Sequence, residues 1–166
     1  LLLCINEYAS TSQVVERTEQ MMGTYATITI RDRNTTRANL ALDAAFGEIK
    51  RIEALMSLYN ESSEVALLNS NGTNWTTLSP DTIYVLKKAD YYSRLSNGSF
   101  DITCNPLVNL WMVKVREEQR MPTPEEIEEA RALVGYEHLI IDEDLNRARF
   151  DKEGMSITLG GIAPGY

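Results

Sequence analysis

The order of periodic segments in this chain predicts an α+β domain, an antiparallel sheet with helices packed on one face. Three observations carry the prediction. Near the start, Ala26, Ile28 and Ile30 alternate with Tyr25, Thr27 and Thr29, the period of two of a half-buried strand. Three segments with helical periodicity follow, two of them opened by explicit capping signals. The chain then ends in short apolar runs separated by turn residues.

Residues 5–20 are polar, with little periodicity, and read as a tether into a domain spanning 21–166. The strand occupies Met21–Ile30, with Met22-Gly23-Thr24 at its entry, where Gly23 lets the backbone approach a flat partner closely. Arg37–Met56 is the clearest helix. Leu42, Phe46, Ile49, Ile52, Leu55 and Met56 fall on one face, and Asp43, Glu48, Lys50 and Arg51 on the other. Tyr59 stands just past this helix, where its ring is either a surface group or a stacking platform for a planar ligand.

Ser63-Glu64-Val65 reads as a helix-start turn leading to Asn69, and Asn71-Gly72 as a turn. Trp75–Leu78 is a short extended piece. Ser79-Pro80-Asp81 opens the second long helix, with Ser79 as N-cap and Pro80 in the first turn. Ile83, Leu86, Ala89 and Tyr92 are expected on its inner face, and Asn97-Gly98 closes it. Met112–Arg120 reads as a surface crossing. Thr123-Pro124-Glu125-Glu126 is a capping box, starting a third helix that stops at Gly135. Leu139–Ile141, Arg147–Phe150 and Met155–Leu159 are expected as three strands, and His138 as a capping or surface residue.

Hydrophobic content of 43% and charged content of 24% are those of an ordinary globular domain. A formal net charge of −8 disfavours nonspecific nucleic-acid binding, which needs a basic face. It also means that a phosphate group must be held by local donors against a repulsive global field. Cys4 and Cys104 make no metal-ligand spacing and no disulfide framework. Leu1-Leu2-Leu3-Cys4 has two readings: the end of a bacterial lipoprotein signal, with Cys4 as the lipidated residue, or a frayed N-terminus.

The stretch Ser96–Trp111 organises the rest. It begins in a turn at Asn97-Gly98, passes through Ser99-Phe100-Asp101-Ile102-Thr103, and reaches an apolar run after Pro106. Read from its residues, it is either a linker with a buried Trp or a loop presenting Ser99, Asp101 and Thr103 to a ligand. Near the C-terminus, Gly160-Gly161-Ile162-Ala163-Pro164-Gly165 follows a strand. Glycines there let backbone N–H groups converge on phosphate oxygens at the start of a helix.

Ser96–Trp111 resembles the S-G-G-x-F-D-x-T-x-x-P-L-x-x-L-W signature of the FAD:protein FMN transferases, the ApbE family. Four further stretches agree in order: Met22-Gly23-Thr24-Tyr25, Met56-Ser57-Leu58-Tyr59, Ser63-Glu64-Val65 with Asn69, and Gly160-Gly161-Ile162-Ala163-Pro164-Gly165-Tyr166. The resemblance covers the N-terminal half of the family's length, so the chain is expected to be an incomplete, ApbE-like fragment. It implies Mg²⁺-dependent transfer of FMN from FAD to a threonine hydroxyl of an acceptor protein, a flavin-carrying subunit of a membrane redox complex. The alternatives are an FAD-binding module without transfer, or hydrolysis of FAD to FMN and AMP.

By the same resemblance Met22, Tyr59, Ser99, Phe100 and Asp101 bind FAD, and the Ala163 carbonyl is a Mg²⁺ ligand. Asp101 is expected to position flavin rather than to hold the fold. Pro164 stands where the family usually has Lys, removing a charge and an N–H donor. The family's catalytic His and metal-binding carboxylate lie beyond the matched stretch, so no catalytic residue is assigned. The resemblance also implies an extracytoplasmic, lipid-anchored protein, with a cytoplasmic one as the alternative.

Overall fold

The structure, a computed structural model, describes residues 12–166, which divide into two units, one ending at Glu53 and the other running from Ala54 to Tyr166. The first unit is a hairpin of β1 (Gln13–Met21) and β2 (Thr24–Asp32) with most of helix α1 (Thr35–Met56). Met21 pairs with Thr24, so Met22 and Gly23 form a two-residue loop with φ of 50° and 73°. Two consecutive positive φ angles are what a type I′ turn requires, and that turn matches the twist of the flanking strands.

Residues 13–20, expected as a tether, are therefore a strand. The reason they escape a pattern search is specific. Alternate positions do face inward, but two of them are charged, Arg17 and Glu19. Helix α1 accommodates both. Arg17 bonds Asp43 at 2.5 Å and lies 5.8 Å from the centre of the Phe46 ring, while Lys50 bonds Glu19 at 2.7 Å. Around these charges Val15, Ala26, Ile28, Ile30 and Ile49 pack against buried Met21, Leu42 and Phe46. The start of α1 is tied to the end of β2. Asp32 accepts two 2.7 Å bonds from Arg37 and a third from the Asn34 N–H, and these hold its carboxyl at about 2.

The second unit holds α2 (Glu64–Asn71), α3 (Pro80–Leu95), α4 (Asn105–Trp111) and α5 (Pro124–Arg131). Its sheet has the order β3-β5-β4, all antiparallel, from β3 (Thr76–Thr77), β4 (Leu139–Asp142) and β5 (Arg147–Phe150). The caps read from sequence are in place. Ser63 accepts from Ala66 N–H, Ser79 from Thr82 N–H, and Thr123 and Glu126 form a reciprocal box. Ile83, Leu86 and Ala89 are buried beneath α3, with Phe150, Ile157 and Leu159 among the fully buried apolar residues of this unit. The α+β class holds, but with two small antiparallel sheets in place of one.

Two further expectations are corrected. Met155–Leu159 is extended but joins no ladder. The Asn69 side chain binds both the N–H and the carbonyl of Ile157, and Thr158 N–H goes to the Ile102 carbonyl, so side-chain and loop groups replace a partner strand. The run after Pro106 is helical, because proline in the first helical turn lacks only an N–H that would have no partner there. Met112–Glu117 continues it as a π-helix, not as an irregular crossing. Cys104 is a free thiol, and Cys4 lies outside the described residues.

Two outcomes are expected. Gly23→Ala should cost about 1–2 kcal/mol, the penalty of a left-handed L-residue, measured by thermal denaturation. No neighbouring atom lies in the way of the added methyl, so a larger loss would refute the turn assignment. The Asp32 carboxyl is depressed below the ordinary 3.8, so its contribution is complete above that pH and is lost as pH falls through about 2. An NMR titration of its carboxyl carbon, absent in Asp32→Asn, checks this.

Candidate functional site

Helix α3 ends in a C-terminal cap that aims the chain at the site. Asn97 and Gly98 have φ of 50° and 77°, and Gly98 N–H returns to the Ser93 carbonyl at 2.8 Å. The Ser96 hydroxyl accepts Phe100 N–H at 3.0 Å, fixing the first step out of the turn. Asp101 then becomes the hub. One carboxylate oxygen accepts both the N–H and the hydroxyl of Thr103 at 2.7 Å, and the other accepts Tyr136 N–H at 2.9 Å. The Thr103 hydroxyl in turn accepts Gly135 N–H at 2.8 Å. Thr103 is fully buried, so it faces the fold and not a ligand. Both oxygens of Asp101 accept from the protein's own donors, so the carboxylate ties its loop to the connection before β4.

Phe100 is left facing outward, on the wall of a cleft of about 1290 Å³. The opposite walls are the exposed face of α3 and the loop Gly160–Tyr166. Gly161 lies against Phe100; a Cβ there would sit 3.4 Å from the ring, so the glycine sets the approach of the loop. Tyr84, Lys88 and Tyr92 project from successive turns of α3. The Lys88 ammonium is 5.4 Å from the centre of the Tyr84 ring, and the Tyr166 ring stands 5.6 Å from Tyr84 at 40°. Tyr166 also donates its hydroxyl proton to Asp81. Aromatic faces, one ammonium and a glycine-lined wall suit a planar ring system bearing anionic oxygens.

The terminal loop is tighter than a phosphate cradle. Ile162 and Ala163 N–H both bond the Leu159 carbonyl, Gly165 N–H bonds Ile162, and Tyr166 N–H bonds the Ala163 carbonyl at 3.0 Å. Ala163–Gly165 is a single 3₁₀ turn, not the start of an α-helix. The Ala163 carbonyl thus keeps one lone pair. Among the described residues no three acidic, His or Cys side chains converge on a metal position, so the Ala163 carbonyl would be a single ligand.

Of the sequence-predicted residues, Ser99, Phe100 and Asp101 share the cleft's loop, and Ala163 lies in the facing one. Tyr59 is 93% exposed in the turn after α1, its N–H bonded to the Ser57 hydroxyl, and is not part of the cleft wall. Met22 stands at the hairpin tip of the first unit, its N–H bonded to Glu53 at 2.7 Å. The residues missed are Tyr84, Lys88 and Tyr92. Their i, i+4, i+8 spacing was legible as a stripe, but Tyr92, read as inward, is 48% exposed and faces the cleft.

The sequence model of the ApbE family matches residues 22–166. This chain belongs to the ApbE family. The FAD:protein FMN transferase of Haemophilus influenzae is 31% identical over 123 residues, covering 71% of this chain and 36% of that protein. The FAD:protein FMN transferase of Vibrio cholerae is 32% identical over 120 residues, covering 71% and 35%. Among solved structures, the ApbE protein of Thermotoga maritima superposes with a TM-score of 0.83 at 32% identity, covering 93% of this chain and 50% of that one. The flavin transferase ApbE of Vibrio cholerae gives 0.81 at 28%, with coverages of 93% and 50%. The chain spans about a third of the length of the curated ApbE relatives it matches and half of these solved chains.

One outcome follows from the hub. Asp101→Ala strands three donors and should cost about 3 kcal/mol, hydrogen bonds to a charged group being the stronger kind. That lowers Tm by roughly 10 °C for a chain of this size. An unchanged Tm in calorimetry would return Asp101 to a ligand-facing role.

Proposed function

We propose that this chain is the FAD-holding part of an enzyme that transfers FMN from FAD to a threonine hydroxyl of an acceptor flavoprotein. The observation that carries the reading is the cleft in which Phe100, from the family's S-F-D stretch, faces the Gly160-Gly161 turn. Family membership and the transferase names of the relatives support it.

In the transfer, the threonine Oγ forms a bond to the phosphorus of the FMN moiety. The anhydride bond to the AMP moiety breaks, AMP leaves, and the threonine proton passes to solvent or to the departing phosphate. This chain's residues contribute binding and orientation. Phe100 and the α3 tyrosines supply apolar ring faces, and Lys88 a cation for an anionic oxygen. Met22 and Tyr59 are assigned to the flavin ring on the same reading. The whole protein's transfer is dependent on Mg²⁺ in this reading, with the Ala163 carbonyl as one ligand that would help hold the ion near the pyrophosphate. His138 is bonded to Asp151 at 2.8 Å and is read as a surface residue at the head of β4. An acceptor in a membrane redox complex, and an extracytoplasmic location with Cys4 as lipid anchor, complete the proposal; Cys4 lies outside the described residues.

The deciding experiment incubates the protein with FAD, Mg²⁺ and a threonine-bearing acceptor peptide, followed by mass spectrometry. An FMN adduct on threonine supports transfer. Free FMN with AMP points to hydrolysis, and bound intact FAD to a binding module. Tyr59→Ala should weaken FAD binding by about 1–3 kcal/mol, the size of aromatic stacking on a base, read by flavin fluorescence titration. Because Tyr59 is exposed, the variant should fold normally, and unchanged affinity would reject its role.

A further inference from the structure

The exposed face of α3 is periodic. Tyr84, Lys88 and Tyr92 recur every four residues, each about 6 Å along the helix axis from the next. Of the residues lining the cleft, only Asp81 and Lys88 carry a charge. Asp81 is engaged by the Tyr166 hydroxyl at the start of the helix. Lys87, next to Lys88, pairs with Glu143. Lys88 itself makes no ion pair among the described residues, and its ammonium lies 5.4 Å from the centre of the Tyr84 ring. On the facing loop the exposed Gly161 N–H has no acceptor among the described residues, and Gly160 N–H reaches the Thr158 hydroxyl only at 3.4 Å. The two tyrosines differ in what they already touch. Tyr84 carries Lys88 over its ring and has Tyr166 beside it, 5.6 Å between centres. Tyr92 meets the Tyr91 ring edge to face, 5.2 Å between centres at 75°, and is 48% exposed.

FAD has two planar ring systems, isoalloxazine and adenine, joined through a pyrophosphate. Met22 and Tyr59, assigned to the first, are not on the cleft wall. Resting on the transferase reading, we infer that the α3 stripe is the subsite for the AMP half of FAD. Lys88, steered by the Tyr84 ring, takes a pyrophosphate oxygen, and Tyr92 carries the adenine one helical turn away, a step that a ribose spans. An aromatic face stacks on a base whatever its edge carries, and the ammonium marks where the phosphate lies. Lys88 and Tyr92 are then the residues by which the cleft prefers a flavin bearing AMP to one without it. Adenine nucleotide alone should occupy the same place.

The test titrates ADP and FAD against the wild type and variants, by calorimetry and flavin fluorescence. ADP should bind the wild type and displace FAD. Lys88→Met should weaken both ligands by the same factor, about ten-fold, the size of one hydrogen bond to a charged group, and Lys88→Arg should keep most of the affinity. Tyr92→Ala should weaken both about five-fold or more, as expected for a ring stacked on a base. Both positions are exposed, and circular dichroism should show both variants folded. Tyr59→Ala, on the flavin half, should weaken FAD and leave ADP unchanged. A wild type that binds FAD but not ADP overturns the inference. So does a loss for FAD without a loss for ADP in Lys88→Met and Tyr92→Ala, which would put the flavin ring on the stripe. ADP affinity unchanged by Lys88→Met overturns it as well. If ADP binds through Lys88 and Tyr92 but FAD does not bind, the transferase reading falls and the nucleotide subsite stands. Failure of both ligands on the wild type ends both.

Discussion

The Asp101 carboxylate is the constraint on which the second unit depends. It satisfies Thr103 within its own turn and Tyr136 thirty-five residues away, while the Thr103 hydroxyl it orients accepts the neighbouring Gly135 N–H. A buried backbone donor costs free energy unless it finds a partner, and here the donors of the α5-to-β4 connection find theirs in a loop that follows α3. The result is a rigid corner. Phe100 precedes this corner and is turned outward by the Ser96 cap, so its ring is set by groups on both sides of it in sequence.

From that corner the cleft follows with little freedom. One wall is a helix face whose polar and aromatic residues recur every four positions, and the other is a loop held closed by its own backbone bonds. A closed loop offers a preformed surface instead of a phosphate cradle. The cleft carries one ammonium, Lys88 over the Tyr84 ring, and one carboxylate, Asp81, which accepts the Tyr166 hydroxyl proton.

Much of the fold was legible because its determinants are local. Ser63, Ser79 and the Thr123–Glu126 box each announce a helix by chemistry confined to one turn, whereas Met22-Gly23, read as a strand entry, is a hairpin tip. What stayed hidden depends on partners distant in sequence. Arg17 and Glu19 look like solvent-facing residues until α1 supplies Asp43 and Lys50, so β1 carried no visible apolar alternation. The local sequence Phe100-Asp101-Ile102 gives no hint that Tyr136 will bond the second oxygen of Asp101. The motif positions were found by their order along the chain, whereas the α3 stripe of Tyr84, Lys88 and Tyr92 carries no motif and emerged only with the cleft.

The two tryptophans occupy different settings. Trp75 is overlaid by two guanidinium groups, those of Arg147 at 4.3 Å and Arg149 at 5.1 Å, whereas Trp111 sits in an apolar strip at the end of α4. Their exposures are nearly equal, 40% and 41%, so neutral acrylamide reaches both rings alike. The molecule therefore carries two intrinsic optical reporters, one beside its three-stranded sheet and one beside α4, without any attached dye.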